Sequence, residues 1–328
     1  MKKLVKIMLV VLFVLLAALA IILIFRIRAV DSDEKRAEKA PPVKTEAGTL
    51  EEEQNPPEDE GKEIPEQSAE TPDAGDTRGQ SAPPASADTD IQALAGRLEQ
   101  LVGSEYSAGG NVAVCAGKTD GAEFASAGGG AMQAASLIKL YVAGAVYENY
   151  GIVSGQESYG GETESLLKSM ITVSDNAACN TLVTRLGSGS AASGMSLVNQ
   201  YCADHGFPDT HMGRLMLQSN DMDDNYTSVQ DCCNFLKMAD SRQLQGSGEI
   251  LSLMNQQQRR TKIPAGIPSG VTVGNKTGEL ADVENDAAIV YAPDGNYVIC
   301  VMSENLANPG AARQFITRVS GVVYEILQ

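Results

Sequence analysis

Two side chains in an apolar segment have the types and the spacing that a nucleophilic reaction requires. Ser136 and Lys139 lie three residues apart near the start of ASLIKLYVAGAVYENYG, and in a helix this spacing places the hydroxyl and the amine on one face. A buried lysine close to a second cation tends to lose its proton, and the neutral amine can then deprotonate a serine. The amino terminus of the helix also favours developing negative charge. The pair predicts a serine nucleophile activated by a lysine.

Two further polar motifs follow in the chain, and each carries groups that can bind or protonate an acyl substrate. Ser174-Asp175-Asn176 lies at a break between two helical patterns. A second hydroxyl there can relay a proton, and the Asn176 amide can hold an amide of the substrate. Lys276-Thr277-Gly278 lies at the end of a predicted strand. Its cation and hydroxyl can bind a substrate carboxylate, and the glycine allows the ligand to lie against the strand backbone.

With these three motifs in this order, the chain resembles the penicillin-recognising serine enzymes, and most closely the class A β-lactamases. The motifs are separated by 38 and 102 residues, and the segment 91–328 has a length typical of that family. The resemblance implies that Ser136 is the acylated nucleophile and that Lys139 is its general base or proton relay. It also implies that Ser174 carries the proton to the leaving nitrogen and that Asn176 positions the side-chain amide of the substrate.

The resemblance also assigns the groups that surround the reacting carbonyl and the carboxylate of the substrate. It implies that Lys276 and Thr277 bind the carboxylate beside Gly278. The backbone N–H groups of Ser136 and Glu279 would form the oxyanion hole. The side chain of Glu279 departs from the pattern, because it places a negative charge near the carboxylate site.

One residue of the class A pattern is missing from the loop that supplies the base for hydrolysis of the acyl-enzyme. These enzymes carry a Glu-x-x-x-Asn pattern there, and the Glu activates the water. Arg214 and Asn220 fall on the family's Arg and Asn, which adds Asn220 to the substrate-binding set, whereas Met216 occupies the position of the Glu. A thioether cannot take a proton from water. We therefore expect intact acylation and slow deacylation.

Nearby aspartates are the alternative source of a base for deacylation. Four lie close to the loop in sequence: Asp209, Asp221, Asp223 and Asp224. We expect Arg214 to pair with Asp223 or Asp224, which would occupy one of them.

Apolar periodicity predicts the elements that must position these motifs. Helical spacing occurs in 91–102, 135–151, 162–187 with a break near 173–175, and 313–327. Strand-like runs occupy 111–117, 122–127, 271–278, 287–293 and 297–304. Asp294-Gly295 joins the last two as a hairpin. We predict an α/β fold of the β-lactamase/transpeptidase-like type: an antiparallel sheet of about five strands formed by both chain ends, with helices on both faces and a helical subdomain.

The first thirty residues read as a membrane anchor. They carry five basic and no acidic side chains, and the uncharged run 7–25 reaches about 28 Å as a helix, close to the thickness of a bilayer core. A cleaved signal peptide is the alternative, but the small-residue triplet that cleavage needs lies inside the run. We predict a single-pass anchor in 1–30 that holds an extracytoplasmic domain at the cell membrane.

The next sixty residues have the composition of a tether. Residues 31–90 carry 18 acidic and six basic side chains, eight of the chain's prolines and no aromatic residue. Such a segment cannot bury enough apolar area to offset its chain entropy. We predict a disordered acidic, proline-rich linker over 31–90 and one catalytic domain over 91–328. The net charge of −17, with no basic stripe, excludes nucleic acid as a partner.

The six cysteines and two histidines show no spacing typical of a zinc site, so we expect no metal and no cofactor. Cys115 and Cys300 can pair if their strands adjoin. Buried free thiols are the alternative, and the sequence leaves the pairing open. No Gly-x-Ser-x-Gly elbow accompanies the histidines, so we expect a group other than histidine to activate the nucleophile.

The leading interpretation is a membrane-anchored, monomeric serine hydrolase that forms an acyl-enzyme with β-lactams and turns them over slowly. A D,D-peptidase or transpeptidase acting on peptidoglycan peptides is the alternative within enzymes, because that class shares the three motifs and does not require the loop Glu. A catalytically retired wall-binding module is the alternative outside enzymes.

Overall fold

The computed structural model describes residues 85–328 of the chain. The predicted anchor and the linker up to residue 84 lie outside the described residues. The first described helix begins at Ala85, six residues before the predicted start of the domain, so the linker predicted over 31–90 overlaps its first turn and a half. Within the described part of the chain, no helix has both the length and the apolarity to cross a membrane.

Eight strands are present in the described residues. In chain order they are Asn111–Lys118 (β1), Ala125–Ala127 (β2), Met132–Gln133 (β3), His211–Met212 (β4), Asn225–Thr227 (β5), Thr272–Leu280 (β6), Val283–Ala292 (β7) and Gly295–Glu304 (β8). Five of them form one antiparallel sheet in the order β2-β1-β8-β7-β6, and β3, β5 and β4 form a small second sheet. The prediction that both chain ends build one five-stranded antiparallel sheet is confirmed.

The helices of the described residues lie before, between and after these strands. They are Ala85–Gln100 (α1), Ile138–Glu148 (α2), Tyr150–Ser154 (α3), Glu162–Thr172 (α4), Asn176–Leu186 (α5), Ala191–Asp204 (α6), Val229–Asp240 (α7), Ser247–Asn255 (α8) and Pro309–Leu327 (α9). The predicted break near 173–175 is confirmed, since α4 and α5 are separate helices. The helix predicted over 135–151 is wrong in its bounds, because a 3₁₀ turn forms Ala135–Leu137 and a separate short helix runs through Gly151.

The two faces of the five-stranded sheet are covered by different helices. Along β1, Ala113 and Cys115 pack into the core formed with α2, α5 and α7, whereas Val114 and Ala116 pack into the core formed with α1 and α9. This alternation follows from the two-residue period of a strand. The consecutive residues Ile138 to Val146 of α2 are all buried, so the helix that follows the Ser136 turn is held rigidly on every side.

All six cysteines are buried free thiols. Cys115 and Cys300 lie opposite each other on the adjoining strands β1 and β8, as a disulfide between them would require. Both are nevertheless free thiols. Cys232 and Cys233 of α7 pack against the same face of the sheet. The cysteines therefore serve as small apolar core residues.

Candidate active site

Ser136 lies in the 3₁₀ turn that leads into α2, and Lys139 lies in the first turn of that helix. The Lys139 side chain is completely buried, and its Nζ is 3.0 Å from Ser136 Oγ. Ala135, directly before the serine, has a φ of 46°, a backbone region that residues other than glycine rarely adopt. The predicted contact between the hydroxyl and the amine is present.

The turn between α4 and α5 brings the second motif to the same amine. Lys139 Nζ donates to the Ser174 carbonyl oxygen at 2.7 Å and to Asn176 Oδ1 at 2.7 Å, and it lies 3.1 Å from Ser174 Oγ. Asp175 Oδ1 accepts from the N–H of Ala178 at 2.7 Å and caps α5. Ser174 has a φ of 63°, so the turn is held in a strained conformation by the groups around it.

Strand β6 supplies the third motif from the opposite side. Lys276 is completely buried, and its Nζ lies 2.9 Å from Ser174 Oγ and 2.7 Å from the Thr277 carbonyl oxygen. The motif lies inside β6, which continues to Leu280, so the prediction that it ends a strand is wrong. The Ser174 hydroxyl thus lies between two lysine amines. Together we call Ser136, Lys139, Ser174 and Lys276 the acylating cluster, after the role that the resemblance implies for them.

Gly278 allows β6 to lie against the nucleophile turn. A Cβ at this position would be 2.8 Å from the Ala134 carbonyl oxygen and 3.2 Å from the backbone nitrogen of Ser136. Any side chain would push the strand away from the turn. The strand next to Glu279 therefore passes close to the Ser136 N–H, where the oxyanion hole is predicted.

Both lysines have depressed pKa values. The pKa of Lys139 is lowered to about 8, mainly by burial and to a smaller extent by the charge of Arg259, while Cys179 and Asp175 oppose the shift. Burial also holds the pKa of Lys276 well below its usual value, with a contribution from the charge of Lys139. A lysine with a pKa near 8 is neutral in a useful fraction of molecules at neutral pH and can act as a base.

The Glu279 carboxylate is paired with two cations. Glu279 Oε2 lies 2.8 Å from Arg259 Nη1, and Glu279 Oε1 lies 3.1 Å from Lys262 Nζ. Burial raises the pKa of Glu279, but Lys262 and Arg259 outweigh this effect and hold the pKa below its ordinary value. The negative charge that the sequence places near the carboxylate site is therefore paired with two cations. Sequence reasoning missed Arg259 and Lys262, although the basic run 259–262 is visible.

Met216 is fixed to α5 through its backbone. The Asn180 amide of α5 holds it twice: Asn180 Oδ1 accepts from the Met216 N–H at 2.8 Å, and Asn180 Nδ2 donates to the Met216 carbonyl at 3.1 Å. Only 7% of Met216 is exposed, and Asn225 Nδ2 lies 3.9 Å from its sulfur. Because α5 also begins at Asn176, Met216 is tied to the helix that carries a group of the second motif.

The buried aspartate of the 214–224 loop is engaged within the loop. Arg214 Nε donates to Asp224 Oδ1 at 2.6 Å, which confirms the expected partnership. Asp224 Oδ2 accepts from Asn220 Nδ2 at 3.2 Å and from Gln133 Nε2 at 3.0 Å. The predicted substrate-binding residue Asn220 therefore directs its amide to the loop. Burial raises the pKa of Asp224, but these hydrogen bonds and that of the Asn225 N–H lower it below normal.

The other candidate bases have different surroundings. Asp223 Oδ2 lies 2.8 Å from His211 Nε2, and this hydrogen bond lowers the pKa of Asp223. Asp221 is exposed on the loop. Asp209 is half-buried, and its backbone N–H donates to Asp231 at 2.9 Å. A carboxylate with a lowered pKa is a poor base, so Asp223 and Asp224 lack the property that deacylation requires.

The fold is shared with proteins of known structure. PBP-A superimposes with a TM-score of 0.59 at 23% identity, over 72% of this chain and 96% of that one. A leucine-to-glutamate mutant of PBP-A, solved as an acyl-enzyme complex with penicillin G, gives 0.60 at 23% identity with the same coverage. A class A β-lactamase representative from Bacteroides cellulosilyticus DSM 14838 gives 0.61 at 22% identity, over 72% of this chain and 98% of that one.

No curated protein matches the sequence. The model of the β-lactamase enzyme family, however, matches residues 92–327, which is most of the chain and spans every residue of the acylating cluster. The fold and the family match agree with the resemblance seen in the three motifs. The chain belongs to the β-lactamase enzyme family.

Proposed function

We propose that this protein is a serine hydrolase. Its Ser136 reacts with β-lactams to form an acyl-enzyme, and the acyl group is released slowly. The observation that carries the proposal is the position of the Lys139 amine, 3.0 Å from Ser136 Oγ and 3.1 Å from Ser174 Oγ. A neutral amine at this point can take a proton from one hydroxyl and pass a proton toward the other.

Acylation can be written with the groups of the acylating cluster. Lys139 Nζ takes the proton of Ser136, and Ser136 Oγ attacks the lactam carbonyl while the N–H groups of Ser136 and Glu279 bind the oxyanion. The C–N bond then breaks, and Ser174 gives its proton to the leaving nitrogen. The proton held by Lys139 returns to Ser174 oxygen, so the amine is neutral again. The product is an ester on Ser136 with an opened ring.

Deacylation needs a base that can activate water against this ester. We assign the corresponding position to Met216, because Asn180 holds its backbone beside α5 and its side chain has no basic atom. Slow hydrolysis of the Ser136 ester follows from the missing base.

The same missing base favours a second candidate, a D,D-peptidase or transpeptidase acting on peptidoglycan peptides. Such an enzyme uses the same three motifs and does not require a glutamate on the loop. The two candidates differ in a direct measurement: a peptidase cleaves a D-Ala-D-Ala peptide and is blocked by penicillin. A wall-binding module without activity would do neither.

We further propose that the domain acts outside the cell as part of a monomer anchored through residues 7–25. The support is the nineteen-residue uncharged run after three lysines, followed by the acidic, proline-rich segment 31–90. In cell fractionation, the full chain should sediment with membranes and a chain lacking residues 1–30 should not. Recovery of both chains in the soluble fraction would contradict the anchor.

The test of the proposed function is covalent labelling of the full chain by penicillin, with the modified peptide identified by mass spectrometry. The adduct should lie on Ser136 and should be absent in Ser136→Ala. Ser196→Ala, a matched change on the exposed face of α6, should label like the native protein. A native chain that never forms an adduct would overturn the proposal.

A further inference from the structure

Beside the proposed carboxylate-binding site, the Glu279 carboxylate forms an ion pair with Arg259. Thr277 and Glu279 are two residues apart on β6, so their side chains leave the same face of the strand. Arg259 Nη1 is 2.8 Å from Glu279 Oε2, and about half of the Arg259 side chain is exposed (51%). The guanidinium that is accessible near Thr277 is therefore already paired with the protein's own carboxylate.

This pair is held in place by a buried charge network. Lys262, with 1% of its side chain exposed, contacts Glu279 at 3.1 Å and the fully buried Glu284 at 2.7 Å. Glu284 in turn contacts Arg313 at 2.6 Å. Because Lys262 is engaged by two carboxylates and by the Gly278 and Asn285 carbonyls, Glu279 is anchored on one oxygen and is not free to swing away from the site.

The cation held by Glu279 acts on the acylating groups. The charge of Arg259 lowers the pKa values of both Lys139 and Lys276, which places the guanidinium within electrostatic reach of the reacting centre. A substrate carboxylate bound at Thr277 would gain from Arg259 and would be repelled by Glu279. At separations of several ångströms near a protein surface, like charges repel by an amount that changes affinity severalfold to more than tenfold.

We propose that Glu279 determines the charge specificity of acylation: it competes with a substrate carboxylate for Arg259, so the site favours acyl donors whose carboxylate is replaced by an ester or an amide. The favoured substrate class is therefore an acyl donor with a neutral group at this position, such as a peptide that continues beyond the scissile bond. The inference rests on the proposed acylation of Ser136.

The experiment compares benzylpenicillin with its methyl ester as labels of Ser136 in the full chain. Glu279→Gln keeps the size and hydrogen-bonding reach of the side chain and removes its charge. It should raise the ratio of the acylation rate with benzylpenicillin to the rate with the methyl ester about tenfold. Adding Arg259→Gln to this variant should remove the increase, because the substrate carboxylate would then have no Arg259 guanidinium to bind.

Glu105→Gln is the matched control, since Glu105 pairs with Arg97 and Arg318 of α1 and α9. It should leave the ratio of the two rates unchanged. An equal change with both labels in Glu279→Gln, or no change, would overturn the charge-specificity inference while leaving the labelling of Ser136 intact. Failure of both labels in the native chain and in every variant would overturn the proposed function, and the inference with it.

Discussion

In the acylating cluster, polar groups from three separate elements contact one another, whereas in the 214–224 loop they are paired within the loop or with the elements that pack against it. Lys139 contacts groups from the nucleophile turn and from the turn before α5, and Lys276 reaches in from β6. The two carboxylate oxygens of Asp224 instead accept hydrogen bonds from Arg214, Asn220 and Gln133. We infer that the first region serves proton transfer and that the second stabilises the conformation of the loop.

This difference separates the two chemical steps of an acyl-enzyme mechanism. Acylation needs a nucleophile, a base and a proton donor, and all three lie within the cluster. Deacylation also needs a base for water, and we assign that position to Met216, whose side chain has no basic atom. A fold can therefore keep the first step and lose the second, because the two steps depend on different elements.

The largest expected effect comes from removing the base of the acylating cluster. Lys139→Met keeps the length of the side chain and removes the amine, so the rate of Ser136 labelling should fall about a thousandfold. Lys168→Met makes the same change on the exposed face of α4 and should have no effect. Labelling kinetics by mass spectrometry measure both, and circular dichroism checks the fold. Undiminished labelling of Lys139→Met would show that another group is the base.

The next effect concerns stability rather than chemistry. Arg214→Ala leaves the buried Asp224 without its cation and should lower the free energy of unfolding by about 3 kcal/mol. Arg97→Ala breaks a more exposed ion pair with Glu105 and should cost less than about 1 kcal/mol. Denaturant titration measures both. Below the unfolding transition, Arg214→Ala should still label at Ser136. If labelling is lost in the folded variant, the two regions are not independent.

Restoring a base to the loop should accelerate only the second step. Met216→Glu should raise the hydrolysis rate of the acyl-enzyme about a hundredfold, since general base catalysis contributes at this level. Met216→Gln has a similar size and no base, and it should stay slow. Turnover of a chromogenic cephalosporin reports the difference. Equal rates in the two variants would mean that Met216 does not lie where the water is activated.

The smallest effect is the pH dependence of acylation. Because burial lowers the pKa of Lys139 to about 8, its neutral fraction increases from about one-tenth at pH 7 to about nine-tenths at pH 9. The labelling rate should therefore rise about tenfold over this range with a midpoint near pH 8. A rate that stays flat or falls between pH 7 and 9 would argue against the Lys139 amine as the base.

The sequence predicted the parts of the molecule that depend on local pattern. The three motifs meet because each sits at the end of, or within, an element whose periodicity is visible, and the sheet follows from strands at both chain ends. The break before Asn176 was readable because polar residues interrupt a helical pattern there. The sequence also predicted that Arg214 pairs with Asp223 or Asp224, and Asp224 is the partner.

The side-chain geometry around the motifs could not be read from the sequence. Glu279 meets Arg259 and Lys262 across 20 and 17 residues, and the sequence does not say which way these long side chains turn. The double contact of Asn180 with the Met216 backbone depends on how a loop packs on a helix. The helix from Ala85 was hidden because its first residues share the composition of the acidic segment before them.

The separation of the two steps is tested most directly by following the mass of the full chain after brief exposure to penicillin and removal of the excess. We expect an adduct on Ser136 that forms readily and persists over time. An adduct that disappears while penicilloate accumulates over many turnovers would contradict it, because the loop would then contain a working base.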